Sequence, residues 1–147
     1  VKVSSEEPTG PDPRTAEAEK LMDAGKFDDA VAAYDALLAS EPNDPVLIAG
    51  RNAAALLGRL DGKDPAALLA AAEQHPDDVD AQLAAADVEL MGGRSADAFN
   101  RIIQVVRITH DEEREAARTR LLDLFAMVGQ SEPEVAAARR SLAAALF

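Results

Sequence analysis

The sequence predicts an all-α fold in which about four helical hairpins stack into a right-handed solenoid. One observation is composition, since the 147 residues include 32 alanines and only 3% aromatic residues. This composition suits closely packed helices better than sheets, which favour β-branched and aromatic side chains. The other observation is spacing, because Pro42 and Pro76 are 34 residues apart and Gly25 and Gly93 are separated by twice that number.

Eight helices are predicted after an N-terminal linker. Residues 1–14 contain three prolines and no apolar periodicity, which is typical of a linker. The remaining chain, 15–147, forms one predicted repeat domain with hairpins at about 15–44, 45–78, 79–110 and 111–147. The predicted helices span 15–24, 28–39, 45–60, 65–74, 79–91, 95–109, 112–128 and 133–146.

Residues at the breaks justify these helix ends. Glycine at Gly25 permits the tight turn of the first hairpin. Pro45 and Pro65 suit the first turn of the third and fourth helices, where a missing N–H breaks no helical hydrogen bond. Ser131 and Glu134 have the spacing of a capping box, which would begin the eighth helix.

The turn of the first hairpin recurs in the third. The residues GKFDDA at 25–30 return as GRSADA at 93–98. The alanines at the end of both segments, Ala30 and Ala98, allow the two helices of a hairpin to approach closely. Paired helices with a 34-residue period are the signature of a tetratricopeptide array. The match weakens along the chain, because His110 stands where a terminal proline is expected in the third hairpin.

The charge of the chain excludes two classes of partner. Fifteen Lys and Arg against 27 Asp and Glu give a net charge of −12. Phosphate would repel such a chain, so we expect no nucleic acid and no membrane surface as partner. No apolar run approaches the length of a membrane span, no signal peptide is visible, and cysteine is absent. We therefore expect a cytoplasmic protein.

The side chains needed for chemistry are missing. There is no cysteine, no serine in a nucleophile-elbow motif and no pair of histidines at metal-ligand spacing. His75 and His110 fall in predicted turns, where solvated histidines are expected. We predict no catalytic residue, no cofactor and no metal site, and so a protein that is not an enzyme.

The first helices of the hairpins are expected to line a groove. The predicted groove residues are Glu19, Met22, Ala53, Leu56, Leu83, Asp87 and Leu90. The set is apolar and acidic and has no Lys or Arg, which argues against a clamp for a terminal carboxylate. It suits an extended apolar or basic peptide. The alternative is that the leucines are ordinary core, because helical spacing cannot separate core from groove.

The last helix is the predicted docking segment. Val135, Ala138, Leu142 and Leu146 form one apolar stripe, which should pack on the helix at 118–128. The residues predicted to bind a partner are Arg139, Arg140, Leu142, Leu146 and Phe147. The alternative is a helix that only seals the end of the solenoid.

Two stretches resemble a known family. They are DAQLAAAD at 80–87 followed by GGRSADAF at 92–99, and REAARTRLLDLF at 114–125 followed by RRSLAAALF at 139–147. Together they resemble the C-terminal half of the bacterial thioredoxin-like co-chaperones, the YbbN or CnoX family, in an alanine-rich and acidic style similar to actinobacterial members. The resemblance covers about 15–147.

The resemblance implies partners that the residues alone do not. Members join an N-terminal thioredoxin-fold domain to a tetratricopeptide half that holds unfolded or oxidised clients and docks on the chaperonin GroEL through its last helix. The thioredoxin-fold domain, which is not in this sequence and could have redox activity, would be a further partner. The expected function is therefore non-catalytic binding of clients and chaperonin. The alternative is a generic tetratricopeptide scaffold with one dedicated protein partner.

Overall fold

A computed structural model describes residues 12–147 as eight α-helices after one short 3₁₀ turn, with no strand in that range. The helices are α1 (Ala16–Asp23), α2 (Phe27–Ser40), α3 (Pro45–Leu60), α4 (Pro65–Gln74), α5 (Val79–Met91), α6 (Ser95–Ile108), α7 (Asp111–Val128) and α8 (Pro133–Leu146). The predicted all-α, tetratricopeptide-like fold class is confirmed. Residues 1–11 of the predicted linker lie outside the described range.

The repeated glycine turn has the geometry that its sequence predicts. Gly25 has φ +75° and Gly93 has φ +78°, the left-handed conformation that glycine adopts without a steric penalty. The following N–H of Lys26 donates to the Leu21 carbonyl at 2.8 Å, and that of Arg94 donates to the Glu89 carbonyl at 2.8 Å. These are the bonds of a Schellman motif, which ends α1 and α5 in the same way.

Aspartates and prolines begin α3, α4 and α5. Pro45 and Pro65 are the first residues of α3 and α4, as predicted. Asp64 accepts a hydrogen bond from the Ala66 N–H, and Asp78 accepts one from the Ala81 N–H, both at 3.1 Å. Each bond satisfies an N–H that has no partner inside the helix.

The predicted capping box at the start of α8 is wrong. The N-cap is Glu132, with extended backbone (φ −72°, ψ 137°) and no side-chain hydrogen bond, so Ser131 lies one residue outside the helix. Pro133 explains the shift, because a proline disfavours the helical conformation in the residue before it and fixes the helix start at its own position.

The chain divides into two compact units, one ending at Ala55 and one from Leu56 to Phe147. In the first unit, Ala18, Ala30, Tyr34, Leu47 and Ala54 form the core. On the surface of this unit, Arg14 connects the start of the described chain to the turn between α2 and α3. Its guanidinium bonds to Asp12 at 2.7 Å, Glu41 at 2.6 Å and Asp44 at 2.9 Å. Arg14 thereby holds the pKa of the Asp12 and Asp44 carboxyl groups below their usual range.

The second unit has the larger core, built mainly from α5, α6, α7 and α8. Phe99 and Phe125 lie at its centre with ring centroids 4.9 Å apart and ring planes at 82°, an edge-to-face pair. Around them pack the buried branched side chains, which are Leu56, Leu83, Ile102, Ile103, Val105, Val106, Leu121, Leu124, Val135 and Leu142.

The nearest neighbour of α8 differs from the prediction. The apolar stripe of α8 was expected to pack on 118–128, but the backbone of α8 lies closest to α6. Small side chains explain the close approach, since Ala137, Ala138 and Ser141 of α8 face Ala96 of α6. The stripe still reaches α7 through the shared core, where Val135 and Leu142 join Phe125.

Candidate protein-binding surfaces

The predicted groove residues of the first unit are partly used inside that unit. Glu19 accepts a hydrogen bond from the Thr15 hydroxyl at 2.7 Å, and the Tyr34 hydroxyl lies 4.0 Å from the sulfur of Met22. Glu19, Met22 and Ala53 are each half-buried. They therefore keep part of their surface available for contact.

In the second unit, two predicted groove leucines belong to the core. Leu56 is 0% exposed and Leu83 is 6% exposed, and both pack in the cluster around Phe99 and Phe125. Leu90 is half-buried against the same cluster. At Leu56 and Leu83 the structure thus corresponds to the core alternative, because the apolar face of each helix is covered by its neighbours.

Asp87 is the largest departure from the predicted groove. Its carboxylate is buried and accepts bonds from Arg59 Nε at 2.8 Å, Arg59 Nη2 at 3.1 Å and Arg120 Nη1 at 2.8 Å. Asp87 is therefore paired with two arginines that the predicted groove set did not include. Burial lowers the pKa of the Arg120 guanidinium, while Asp87 favours its charged form. The site is a closed ion cluster, so Asp87 is not a free acid awaiting a ligand.

A cleft lies between α5 and α7 on this surface. Its cavity volume is about 400 Å³, and Val79, Leu83 and Ala116 form its apolar part. The acidic residues around it are Asp77, Asp78, Asp80, Glu112 and Glu113. We call these eight residues the acidic cleft. A cationic segment with an aliphatic or apolar portion fits such a lining, because the carboxylates attract the charge and the floor accepts apolar atoms.

A second cavity lies between α5 and α6 and has a different character. Its volume is about 470 Å³, and buried Gln82 and Glu89 form part of its wall. Arg101 donates to both of them, through Nε to Glu89 and through Nη1 to Gln82 at 2.7 Å. Arg94 donates to Glu89 at 3.0 Å. The buried polar atoms here are thus bonded within the protein, as buried polar atoms must be to avoid a large desolvation cost.

The predicted docking residues on α8 divide between core and surface. Leu142 is 7% exposed and belongs to the core, and Leu146 is half-buried against it. Arg139 donates to the Gln130 side chain and its guanidinium lies 5.2 Å from the centre of the Phe125 ring. Arg140 and Phe147 are exposed. Leu142 therefore cannot contact a partner directly, while Arg140 and Phe147 can.

Four exposed α8 residues share one face, and two of them, Arg140 and Phe147, are among the predicted docking residues. Arg140, Ala143, Ala144 and Phe147 are all exposed and follow the i, i+3, i+4, i+7 spacing of one helix face. We call these four residues the α8 face. The helical spacing was a readable signal, but only the structure shows which side of α8 is covered.

Arg59 and Arg120 were also missed. Arg120 and Asp87 are 33 residues apart, which is close to one repeat. Equivalent positions of successive repeats lie side by side in such an array, so this spacing was the signal that could have found the pair.

Within residues 12–147, no group of His, Cys, Asp or Glu side chains is placed to hold a metal ion. His75 and His110 are exposed at the end of α4 and the start of α7. None of the helices in the described part of the chain is both long and apolar enough to cross a membrane.

Comparison with known proteins finds relatives that are longer than this chain. The uncharacterized protein Rv1324 of Mycobacterium tuberculosis and the uncharacterized protein Mb1359 of Mycobacterium bovis are each 40% identical to this chain over 145 residues. The alignment covers 99% of this chain but 47% of each relative, so the chain spans about half their length. No solved structure matches the chain significantly.

Two family models described as tetratricopeptide repeat match the chain, one over residues 15–61 and the other over residues 58–147. Repeats of this type are typically non-catalytic modules that bind other proteins. The second match alone covers more than half of the sequence, and both agree with the paired helices and the repeated glycine turn described above. This chain belongs to the tetratricopeptide repeat family.

Proposed function

We propose that this chain is the client- and chaperonin-binding half of a cytoplasmic thioredoxin-like co-chaperone. In this role it performs no chemistry. It holds unfolded or oxidised segments of client proteins, and it docks on the chaperonin GroEL. The proposal starts from the resemblance to the YbbN or CnoX family, and two surfaces of the second unit support it.

The acidic cleft is the observation that carries the client-binding half of the proposal. Its floor contains Val79, Leu83 and Ala116, and five carboxylates surround that floor. Unfolded chains expose apolar side chains beside lysines and arginines, and a lining of this kind attracts both. A chain of net charge −12 also steers basic segments towards itself at low salt.

The α8 face supports the chaperonin-binding half. Phe147 is fully exposed, and Ala143 and Ala144 extend the apolar surface beside it. Arg140 adds a cation that has no ion-pair partner among the described residues. Aromatic residues and arginine are both enriched at protein interfaces.

The relatives are compatible with a second domain. This chain aligns with 47% of each of them, so more than half of each relative lies outside the aligned part. That length would accommodate a thioredoxin-fold domain, which is the partner expected from the family resemblance. The full-length sequence of the protein to which this chain belongs would show directly whether such a domain is present.

Removing charge from the acidic cleft should weaken client binding. We expect the triple variant Asp80→Asn, Glu112→Gln, Glu113→Gln to bind a basic unfolded protein about fivefold more weakly, since each solvent-exposed charge contributes a few tenths of a kcal/mol. Light scattering of the client after dilution from guanidinium chloride, with and without the chain, measures the effect.

The matched control removes the same charge from another surface. Glu17→Gln, Asp28→Asn and Asp29→Asn lie on exposed parts of the first unit and should leave the suppression of aggregation unchanged. Equal loss in both triple variants would show that net charge, and not the cleft, governs client binding. A chain that protects no unfolded protein at all would favour the dedicated-scaffold alternative.

A charge on the α8 face should disrupt chaperonin binding. We expect Phe147→Asp to weaken binding to GroEL at least tenfold, because it replaces the apolar anchor with a carboxylate that must be desolvated. Surface plasmon resonance with immobilised chaperonin measures the affinity. The point substitution is a more specific test than removal of residues 141–147, because that removal would also delete buried Leu142.

Met91→Asp is the control for this experiment. Met91 is another exposed apolar residue of the second unit, 52% exposed, and it lies at the end of α5, outside the α8 face. The control should bind chaperonin as the unmodified chain does. Unchanged affinity of the Phe147→Asp variant would contradict the docking role of α8.

A further inference from the structure

The turn between α3 and α4 contains a dipeptide with chemistry of its own. Asp61 is followed directly by Gly62, and the sequence has no other Asp-Gly step and no Asn-Gly step. Both residues are exposed. Among residues 12–147, no side chain or N–H pairs with the Asp61 carboxylate. The carboxyl group is therefore free to approach the backbone nitrogen that follows it.

The N–H of Gly62 differs from that of the other left-handed glycines. Gly62 has φ +73° and is one of four glycines with positive φ in residues 12–147. The other three donate their N–H groups to carbonyls of the preceding helix at 2.8 to 3.1 Å, and they are Gly25, Gly93 and Gly129. The Gly62 N–H donates to no carbonyl of the described chain, although those of Asp61 and Lys63 do. The one unbonded nitrogen of this set thus follows the one aspartate.

The surroundings of the dipeptide are open, while both of its flanks are held. A Cβ placed on Gly62 would meet no atom within 4 Å. On one side, Leu60 packs against the core of the second unit. On the other side, Asp64 accepts a hydrogen bond from the Ala66 N–H and begins α4. The two residues between them can change their covalent structure without meeting a neighbouring element.

The reaction open to this pair is ring closure followed by hydrolysis. The Gly62 nitrogen attacks the side-chain carboxyl carbon of Asp61, and the carboxyl hydroxyl leaves as water with the proton of that nitrogen. The product is a five-membered succinimide, lighter than the chain by one water molecule. Water then opens the ring. Attack at the former side-chain carbonyl restores aspartate, and attack at the backbone carbonyl leaves isoaspartate, whose main chain runs through Cβ.

We propose that Asp61 is a site of spontaneous covalent modification, at which the Asp61–Gly62 step isomerises to isoaspartate through a succinimide. The reaction needs only the chain and water, and no group is oxidised or reduced. Its product adds one methylene to the main chain directly after α3, two residues from the arginine that bonds to buried Asp87. The proposal does not depend on the co-chaperone function, because Asp61 belongs neither to the acidic cleft nor to the α8 face.

Water enriched in the heavy oxygen isotope records each opening of the ring. The folded chain is incubated in this water and then digested with trypsin in ordinary water, which releases Leu-Asp-Gly-Lys, residues 60–63. We expect at least about tenfold more label at Asp61 than at Asp77, located by fragment masses, because the Gly62 nitrogen is free and unhindered. Asp77 is the matched internal control, since it is also exposed in a turn but the next N–H donates to the His75 carbonyl at 3.1 Å. Coelution with synthetic Leu-isoAsp-Gly-Lys identifies the isomer.

Two variants test the roles of the two residues. Gly62→Ala should lower the labelling about tenfold, because it places a Cβ beside the attacking nitrogen. Alanine is strained at this φ, so Asp61→Glu provides a second test that keeps Gly62 and the charge. Its ring would have six members, and position 61 should then carry no more label than Asp77. Circular dichroism checks that both variants keep their helices.

The proposal is wrong if Asp61 gains no more label than Asp77, or if the labelled peptide contains no isoaspartate. It is also wrong if a folded Gly62→Ala variant, or the Asp61→Glu variant, takes up label at position 61 as fast as the unmodified chain. Neither client binding nor chaperonin binding enters these measurements, so they leave the proposed function untouched.

Discussion

Replacing Asp87 by alanine should lower the free energy of unfolding by about 3 kcal/mol. The Asp87 carboxylate is 1% exposed and bonds to Arg59 and Arg120, whose side chains are 32% and 20% exposed. Without it, two guanidinium groups of like charge face each other in a largely covered site. Burial already opposes the charge of Arg120, and the loss of Asp87 removes the larger of the two carboxylate contributions that favour this charge, the other being that of Asp123.

The size of the effect follows from partial solvation. Removing one partner of a buried ion cluster typically costs 3–5 kcal/mol, and about 3 is the lower end of that range. We expect the lower end because Arg59 retains contact with water and can turn outward. Urea denaturation followed by circular dichroism measures the change, with the midpoint shifting at constant slope if the folded state stays compact.

Two controls make the Asp87 prediction specific. Asp61→Ala removes an equal charge from an exposed turn and should change stability by less than about 0.5 kcal/mol. Replacing Asp87, Arg59 and Arg120 together by leucine should be far less damaging than Asp87→Ala, because an apolar cluster leaves no buried charge. A loss below about 1 kcal/mol in the single variant would show that the arginines are not held by Asp87.

The helices could be predicted from the sequence because their ends carry local signals. Glycine at Gly25 and Gly93 and proline at Pro45 and Pro65 act through backbone geometry alone, so they mark a boundary wherever they occur. The same dominance of backbone geometry explains why the predicted capping box at the start of α8 is wrong. Pro133 fixes the start of α8 more strongly than a serine side chain two residues earlier can.

The surfaces could be predicted only in part, because they depend on which helix covers which face. Leu83 and Leu90 have the same helical spacing whether they line a groove or fill a core. Asp87 looks like a groove acid until Arg59 and Arg120 are brought to it from two other helices. On α8, both Leu142 and Phe147 are apolar, and only the position of α6 and α7 shows that the first is buried and the second exposed.

Replacing Phe125 by alanine should have the largest effect on stability, a loss of about 4 kcal/mol. Phe125 is fully buried and forms an edge-to-face pair with Phe99, with 4.9 Å between the ring centres. Its removal leaves a cavity surrounded by three helices, α6, α7 and α8, which pack on one another and cannot collapse freely into the space. The Arg139 guanidinium over the ring also loses its contact.

Conservative variants divide this effect into its parts. Phe125→Leu keeps most of the volume but loses the aromatic pair, and we expect a loss of about 1–2 kcal/mol. Arg139→Met removes the cation above the ring together with its exposed hydrogen bond to Gln130, and should cost about 0.5 kcal/mol. Guanidinium chloride unfolding of both single variants and of the double variant gives the coupling between the two residues. A loss below about 2 kcal/mol for Phe125→Ala would mean that α8 closes over the vacated space, in which case the packing of α8 on the core is looser than its buried Val135 and Leu142 indicate.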